Sequence, residues 1–268
     1  MKLFEIILLA LLVHVATCST QRQRRIPTTT LSTGQQFPLV GLEVDGLRGE
    51  AVGKRISDAM QNTTRFALFD TAQRANNEKR LNMGISYAVR SSDLHSSEVH
   101  VITKIPYTHL GYERTKLAVR ESLQALKNRN THVHVVLEWP RCNDEIPWMH
   151  CEQDEMRLPQ HVKAAGPPPH HNKDYAFVDS WRALEEIYLR EISLGSGLPA
   201  VASIGVANFE VDDLQTLEMQ SRVLPHIIQV SRNGVAQDFN PSIVYSLGLL
   251  LSHTIEKCMG LCLRSFHS

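Results

Sequence analysis

The chain has 268 residues, no net formal charge and 43% hydrophobic residues. That is enough apolar material for one sizeable core, at the size where α/β barrels form single domains of about 250 residues. The neutral balance gives no footprint for nucleic acid, which needs a basic face or stripe, and the small basic cluster at residues 21–25 reads as solvated chain.

At the amino terminus, Lys2 precedes an apolar run over residues 3–15, and Ala16, Thr17 and Cys18 follow. A charged start, a short apolar stretch and small residues form the pattern of a secretory signal peptide. The run is short for a membrane-spanning helix, which needs roughly 20 apolar residues. The expectation is a signal peptide at 1–18, a short leader at 19–27 and one domain at 28–268. The protein is then secreted or in the secretory pathway, with no stable membrane insertion after cleavage. A retained anchor is the alternative.

Beyond residue 28, short apolar runs alternate with helical stretches, which argues for parallel strands joined by crossover helices. Residues 37–44 read as a first strand. A helix is expected over 48–61, with Val52, Ile56 and Ala59 at helical spacing and Asn62 as its left-handed stop. A second strand covers 66–69 and ends at Asp70. A helix follows over about 77–90, and a third strand over 99–103 ends at Lys104. Val119, Ser122, Leu123 and Leu126 make the inward stripe of the next helix. A fourth strand spans 132–137 and ends at Glu138. Ser180 is read as the N-cap of a helix over 181–192. A fifth strand at 200–206, a helix at 211–219 and a sixth strand at 226–230 follow. A helical stretch near 242–257 and an apolar run near 260–263 complete the chain.

Asp70, Lys104, Glu138, Asn208 and Gln229 all fall at or just past carboxyl ends of expected strands. In a parallel barrel those ends share the face that carries the active site. Two segments containing these residues resemble catalytic motifs of the aldo-keto reductases. Asp70-Thr71-Ala72-Gln73-Arg74-Ala75-Asn76-Asn77-Glu78 is similar to D-T-A-x-x-Y-x-N-E, and Val136-Leu137-Glu138-Trp139-Pro140 to L-I-H-W-P. The likeness continues through Leu31 to Pro38, the Thr103-Lys104 pair, Gly111 to Arg114, Glu121 to Leu123, Ser180 to Glu185, and Ile204-Gly205-Val206-Ala207-Asn208-Phe209. Each motif alone is weak; their shared order and spacing carry the resemblance.

The resemblance implies an α/β fold, a (β/α)8 barrel of aldo-keto reductase type. The stretch after Gln229 has room for one helix and one strand, so the barrel is expected to be incomplete at its carboxyl-terminal end. It also implies an NADP-dependent oxidoreductase acting on a small-molecule aldehyde or ketone. In such enzymes an Asp–Lys pair supports a tyrosine that protonates the carbonyl oxygen while NADPH delivers hydride. Asp70 and Lys104 match the supporting pair, and Asn208 and Gln229 match the residues that hold the nicotinamide carboxamide.

Three departures qualify that reading. Ala75 stands in the tyrosine's place and Glu138 in a histidine's, while Ala207 replaces a serine that contacts the cofactor. Losing one group that stabilises a developing oxyanion costs about 10²–10³ in rate. Glu138 would share one ammonium, Lys104, with Asp70, which favours keeping one carboxyl protonated and able to act as an acid. The site set is therefore Asp70, Lys104 and Glu138 for catalysis and Asn208 and Gln229 for a weakly held NADPH. The activity is expected to be weakened or lost. The alternative is a non-catalytic secreted binding protein on a barrel scaffold, with the three charged residues a buried polar cluster.

Other groups weigh less. Cys142 and Cys151 lie on one loop and could close a small ring, though free thiols are an equal reading for these and for Cys258 and Cys262. No zinc spacing occurs. His132 and His134 share a strand face with Glu138 but lie deeper, so no metal site is expected. The long segment after the fourth strand, with His150, His161, His170 and His171, reads as a solvated lid. Asn62-Thr63-Thr64 is a glycosylation sequon.

Overall fold

The computed structural model describes residues 26–61, 67–91, 99–128, 131–229 and 250–251. The amino-terminal apolar run, the sequon at Asn62, Cys258, Cys262 and the apolar run expected near 260–263 lie outside the described residues, as does the helix expected near 242–257 except at Leu250–Leu251, which form a strand instead. No helix among the described residues is long and apolar enough to cross a membrane.

A two-stranded antiparallel hairpin comes first, β1 (Thr28–Thr30) and β2 (Gln36–Pro38). Among the described residues, seven parallel strands follow in sequential order: β3 (Leu42–Glu43), β4 (Leu68–Asp70), β5 (His100–Ile105), β6 (His132–Leu137), β7 (Val201–Ala207), β8 (Ile227–Gln229) and β9 (Leu250–Leu251). Helices α1 (Ala51–Gln61), α2 (Glu78–Ser91), α3 (Tyr112–Ala125), α6 (Ala176–Tyr188) and α7 (Val211–Gln220) lie in the crossovers. Two short helices, α4 (Cys151–Arg157) and α5 (Gln160–Ala165), sit in the segment between β6 and α6.

The sheet is curled into part of a barrel. Gln229 at the end of β8 donates a hydrogen bond of 2.9 Å to Asp70 at the end of β4, although three strands lie between them in the sheet. The inward faces close on each other: Leu68, Ile102, Val136, Ala207 and Ile227 form one buried cluster with Leu31 and Phe37 of the hairpin. The hairpin thus plugs the end where the strands begin. The opposite sheet face packs on the helices and buries Val101, Ile105, Val133, Val135, Leu137, Ile204 and Val206. Helices α1 and α2 pack closely because both are glycine at the crossing. A Cβ on Gly84 would lie 2.6 Å from the Gly53 carbonyl oxygen.

Several boundaries depart from the sequence reading. The expected first strand over 37–44 is two pieces, because Pro38 ends the hairpin strand and the barrel strand starts at Leu42. Helix α1 begins at Ala51, after a turn through Gly49 at φ 70°. Ser180 is not an N-cap: α6 already starts at Ala176, and the Ser180 hydroxyl bonds the Ala176 carbonyl and accepts from the Gly111 amide, both at 2.7 Å. The segment after β6 is folded rather than a solvated lid. The buried Arg114 of α3 binds Glu155 of α4 through two nitrogens at 2.8 Å and also donates to the Gly166 carbonyl. Cys142 and Cys151 are joined as a disulfide, with a Cα separation of 5.8 Å.

Candidate active site at the barrel mouth

Side chains alternate along a strand, so every second residue of β4 to β8 points into the barrel. The parallel register aligns Lys104 with Val136 and Ala207 with Gln229. The carboxyl-terminal layer therefore collects Asp70, Lys104, Glu138 and Gln229, and Asn208 follows β7 directly. All five expected residues meet at this mouth.

The Lys104 ammonium lies 2.8 Å from Asp70 Oδ1. Burial pulls the Lys104 pKa down, but Asp70, with Glu43 and Glu138, outweighs it, and the ammonium ends above its ordinary value. The Asn208 side-chain nitrogen donates to the Glu138 backbone carbonyl at 2.9 Å, and its backbone N–H donates to the Gln229 carbonyl at 3.0 Å. Asn208 itself sits at φ 59°, a left-handed conformation that asparagine tolerates.

Glu138 does not share Lys104 as closely as the sequence reading supposed. Its Oε1 accepts from Arg74 Nε at 2.7 Å, and Arg74 Nη2 reaches Asp45 Oδ2 at 3.1 Å. Glu138 is 5% exposed, and its Oε2 has no hydrogen-bond partner among the described residues. Burial pushes its carboxyl above the usual carboxylate range, against the pull of Arg74 and Lys104. Arg74 and Asp45 were missed in the sequence. The available signal was a cation directly beside Ala75, where the expected phenol is lost.

Ala75 is buried, at the end of the 3-10 turn Gln73–Ala75, which packs against β5. Asn76 reverses the chain at φ 51°, and Asn77 opens α2 as expected, its carbonyl accepting from the Leu81 N–H at 2.9 Å. It accepts from Thr71 at 2.6 Å and donates to the Val44 carbonyl at 2.6 Å, which fixes the loop that carries Asp45. Glu78 accepts from Thr103 at 2.5 Å in the core beside α2. Trp139 and Trp148 meet edge to face at 5.8 Å, and Tyr107 lies 6.2 Å from Trp148, so aromatic rings wall one side of the mouth.

The deeper histidines contact one another and a serine. His100 Nδ1 lies 3.0 Å from His134 Nε2, and His134 Nδ1 lies 2.7 Å from Ser203 Oγ. Among the described residues, the one group with ligand atoms close enough to hold a metal is Cys142, Asp144 and Cys151, two of which are consumed by the disulfide.

A nicotinamide carboxamide needs one acceptor and one donor. Gln229 Oε1 is buried without a hydrogen-bond partner among the described residues, so an acceptor fits the amide N–H end. Asn208 and Gln229 both spend a donor within the chain. Ala207 offers no side-chain hydrogen bond.

No family model matches the chain. Over 205 residues it is 30% identical to morphine 6-dehydrogenase of Pseudomonas putida, covering 76% of this chain and 54% of that protein. It is 23% identical to the NAD(P)H-dependent D-xylose reductase I,II of Candida tropicalis, covering 79% and 60%. The chain thus spans between about half and three fifths of the length of these curated relatives. Among solved structures, an aldo/keto reductase from Brucella melitensis superposes with a TM-score of 0.61 at 21% identity, covering 84% of this chain and 71% of that one. A Bombyx mori aldo-keto reductase in complex with NADP gives a TM-score of 0.63 at 18% identity, covering 85% and 66%. These likenesses fit the incomplete (β/α)8 barrel.

Proposed function

The chain belongs to the aldo-keto reductase family, and from that premise we propose that the mouth is a nicotinamide-dependent carbonyl oxidoreductase site of strongly weakened activity. The observation that carries this reading is the Lys104–Asp70 ion pair kept at a mouth where residue 75 has no hydroxyl. The support for a proton donor survives without the donor. The relatives' names, a morphine dehydrogenase and xylose reductases, support a small carbonyl or alcohol substrate and an NAD(P)H cofactor.

When bound, the reduced nicotinamide supplies a hydride to the carbonyl carbon. Asn208 and Gln229 would hold its carboxamide, with Gln229 Oε1 the free acceptor. The carbonyl oxygen then needs one proton to become a hydroxyl. Glu138 is the acid left at the mouth, and burial already favours its protonated form. Its Oε1 is taken by Arg74, so Oε2 is the oxygen that carries and gives the proton. Lys104 sustains a positive potential beside the developing oxyanion.

A second reading is favoured by a specific contact. The Arg74 guanidinium bonded to Glu138 favours the ionised carboxylate, which has no proton to give. On that reading the barrel is a non-catalytic binding scaffold. NADPH oxidation with a reactive aromatic aldehyde, beside NADPH fluorescence titration, separates the two. Slow turnover that Glu138→Gln lowers about tenfold or more supports the acid role. Cofactor binding with no turnover in wild type supports the scaffold.

Entry into the secretory pathway is proposed on the charged and apolar amino terminus and is supported by the Cys142–Cys151 bridge. Amino-terminal sequencing of protein from the native cell tests it, and an intact Met1 on cytosolic protein overturns it.

A further inference from the structure

Arg74 is an organic cation already seated at the mouth. Its guanidinium carbon lies 5.9 Å from the Trp148 ring centroid, and its nitrogens contact Glu138 and Asp45. Yet Arg74 is 48% exposed along its side chain, and Trp148 is 50% exposed. Glu138, by contrast, is buried, so the half-solvated guanidinium can be displaced from it only by another cation or by a proton.

The surroundings favour positive charge. Four carboxylates, Glu43, Asp45, Asp70 and Glu138, act on two cations, Lys104 and Arg74, and Lys104 is held by Asp70. If Arg74 swings out, Asp45 and Glu138 are left beside an aromatic wall with no cation between them. That wall is Trp148, Trp139 and Tyr107, the last anchored by its hydroxyl to Asp154 at 2.6 Å. Glu138 adds a buried Oε2 without a hydrogen-bond partner among the described residues. An aromatic face with adjacent carboxylates is the arrangement that binds ammonium and guanidinium groups. An anionic ligand finds the opposite, since both cations are already paired with carboxylates.

We propose that the barrel mouth recognises an organic cation, an aryl-alkyl ammonium or guanidinium compound, and that Arg74 is a resident stand-in which such a ligand displaces. The proposal rests on reading this mouth as the substrate side.

The probes are benzylammonium, its neutral counterpart benzyl alcohol, and the anion phenylacetate, titrated by NMR against the full chain. Benzylammonium should bind tightest and phenylacetate weakest. Arg74→Gln should tighten benzylammonium by about tenfold, because no resident cation competes. Arg74→Lys keeps the charge and should not tighten it. Glu138→Gln should flatten the preference for benzylammonium over benzyl alcohol. Equal or better binding of phenylacetate, no gain in Arg74→Gln, or no binding of any probe overturns the proposal. NADPH titration on the same samples keeps the two readings apart. Cation preference without NADPH binding removes the oxidoreductase reading and leaves the cage. NADPH binding without cation preference does the reverse.

Discussion

The two ends of the barrel are built from the same strands and could hardly be more different in chemistry. On β5, Lys104 points into the mouth and His100 into the base; Glu138, just past β6, and His134 on β6 do the same. At the mouth the polar groups are charged, partly solvated, and include a carboxylate oxygen with no partner. At the base they form a neutral chain, His100 to His134 to Ser203, sealed by the edge of Phe37 at 5.1 Å from His134. Burial holds His100 down to about 3, and His134 also lies well below its ordinary value. A buried polar chain whose members satisfy each other specifies a fold. A charged cluster with an unmet valence at an open end is where a ligand belongs.

The strongest way to break this contrast is to restore what the mouth lacks. Ala75→Tyr places a phenol near the Lys104–Asp70 pair, and carbonyl reduction should rise by about 10²-fold, by analogy with oxyanion donors. Adding Glu138→His should raise it further, since a neutral imidazole bonds the carbonyl without adding negative charge, and it frees Arg74. The readout is NADPH oxidation with a reactive aromatic aldehyde. If single and double variants are inactive while NADPH still binds, the defect lies outside this group of residues.

The base is tested by acid. His100 titrates near 6.5 when unfolded and about 3 in the fold, so its folded pKa is depressed. The resulting stability is present above pH 6.5 and is lost as pH falls below it, because only the unfolded chain takes up the proton there. Lowering pH from 7 to 4.5 should cost about 2–3 kcal/mol from this residue alone. His134 adds in the same direction. Urea unfolding at the two pH values measures the loss. His100→Leu should be less stable at pH 7, where His134 loses a partner, but should lose less on acidification. An equal loss in both proteins would refute the neutral base.

Much of the mouth was legible before the fold, because alternation and parallel order force strand-end residues onto one face. Asp70, Lys104, Glu138, Asn208 and Gln229 were found that way. Arg74 was not, since a turn residue has no strand parity to read. Its contact with Asp45 depends on where Asn77 pins the loop bearing Asp45. Ser180 misled for a related reason: a serine within a helix can bond back to the residue four before it and mimic a cap in sequence. The pairing of Cys142 with Cys151 depends on how the segment after β6 folds, which spacing alone leaves open. The Pro38 break and the hairpin plug depend on Phe37 and Leu31 meeting the barrel's inner cluster.

The smallest effects sharpen the comparison most directly, by removing one polar partner at each end. Ser203→Ala at the base deprives His134 Nδ1 of its 2.7 Å contact in a sealed layer that water does not reach. An unsatisfied buried polar group costs about 1–3 kcal/mol. Asp45→Asn at the mouth removes one carboxylate from Arg74, which stays half in solvent and keeps Glu138. An exposed ion pair contributes about 0–1 kcal/mol, so stability should barely change. What should change instead is the Glu138 titration. Asp45 helps hold that carboxyl above its ordinary range, so its pKa should fall in Asp45→Asn, as read by carbon NMR of the side-chain carboxyl. A large stability loss in Asp45→Asn, or none in Ser203→Ala, would mean that the assignment of binding to the mouth and folding to the base is inverted.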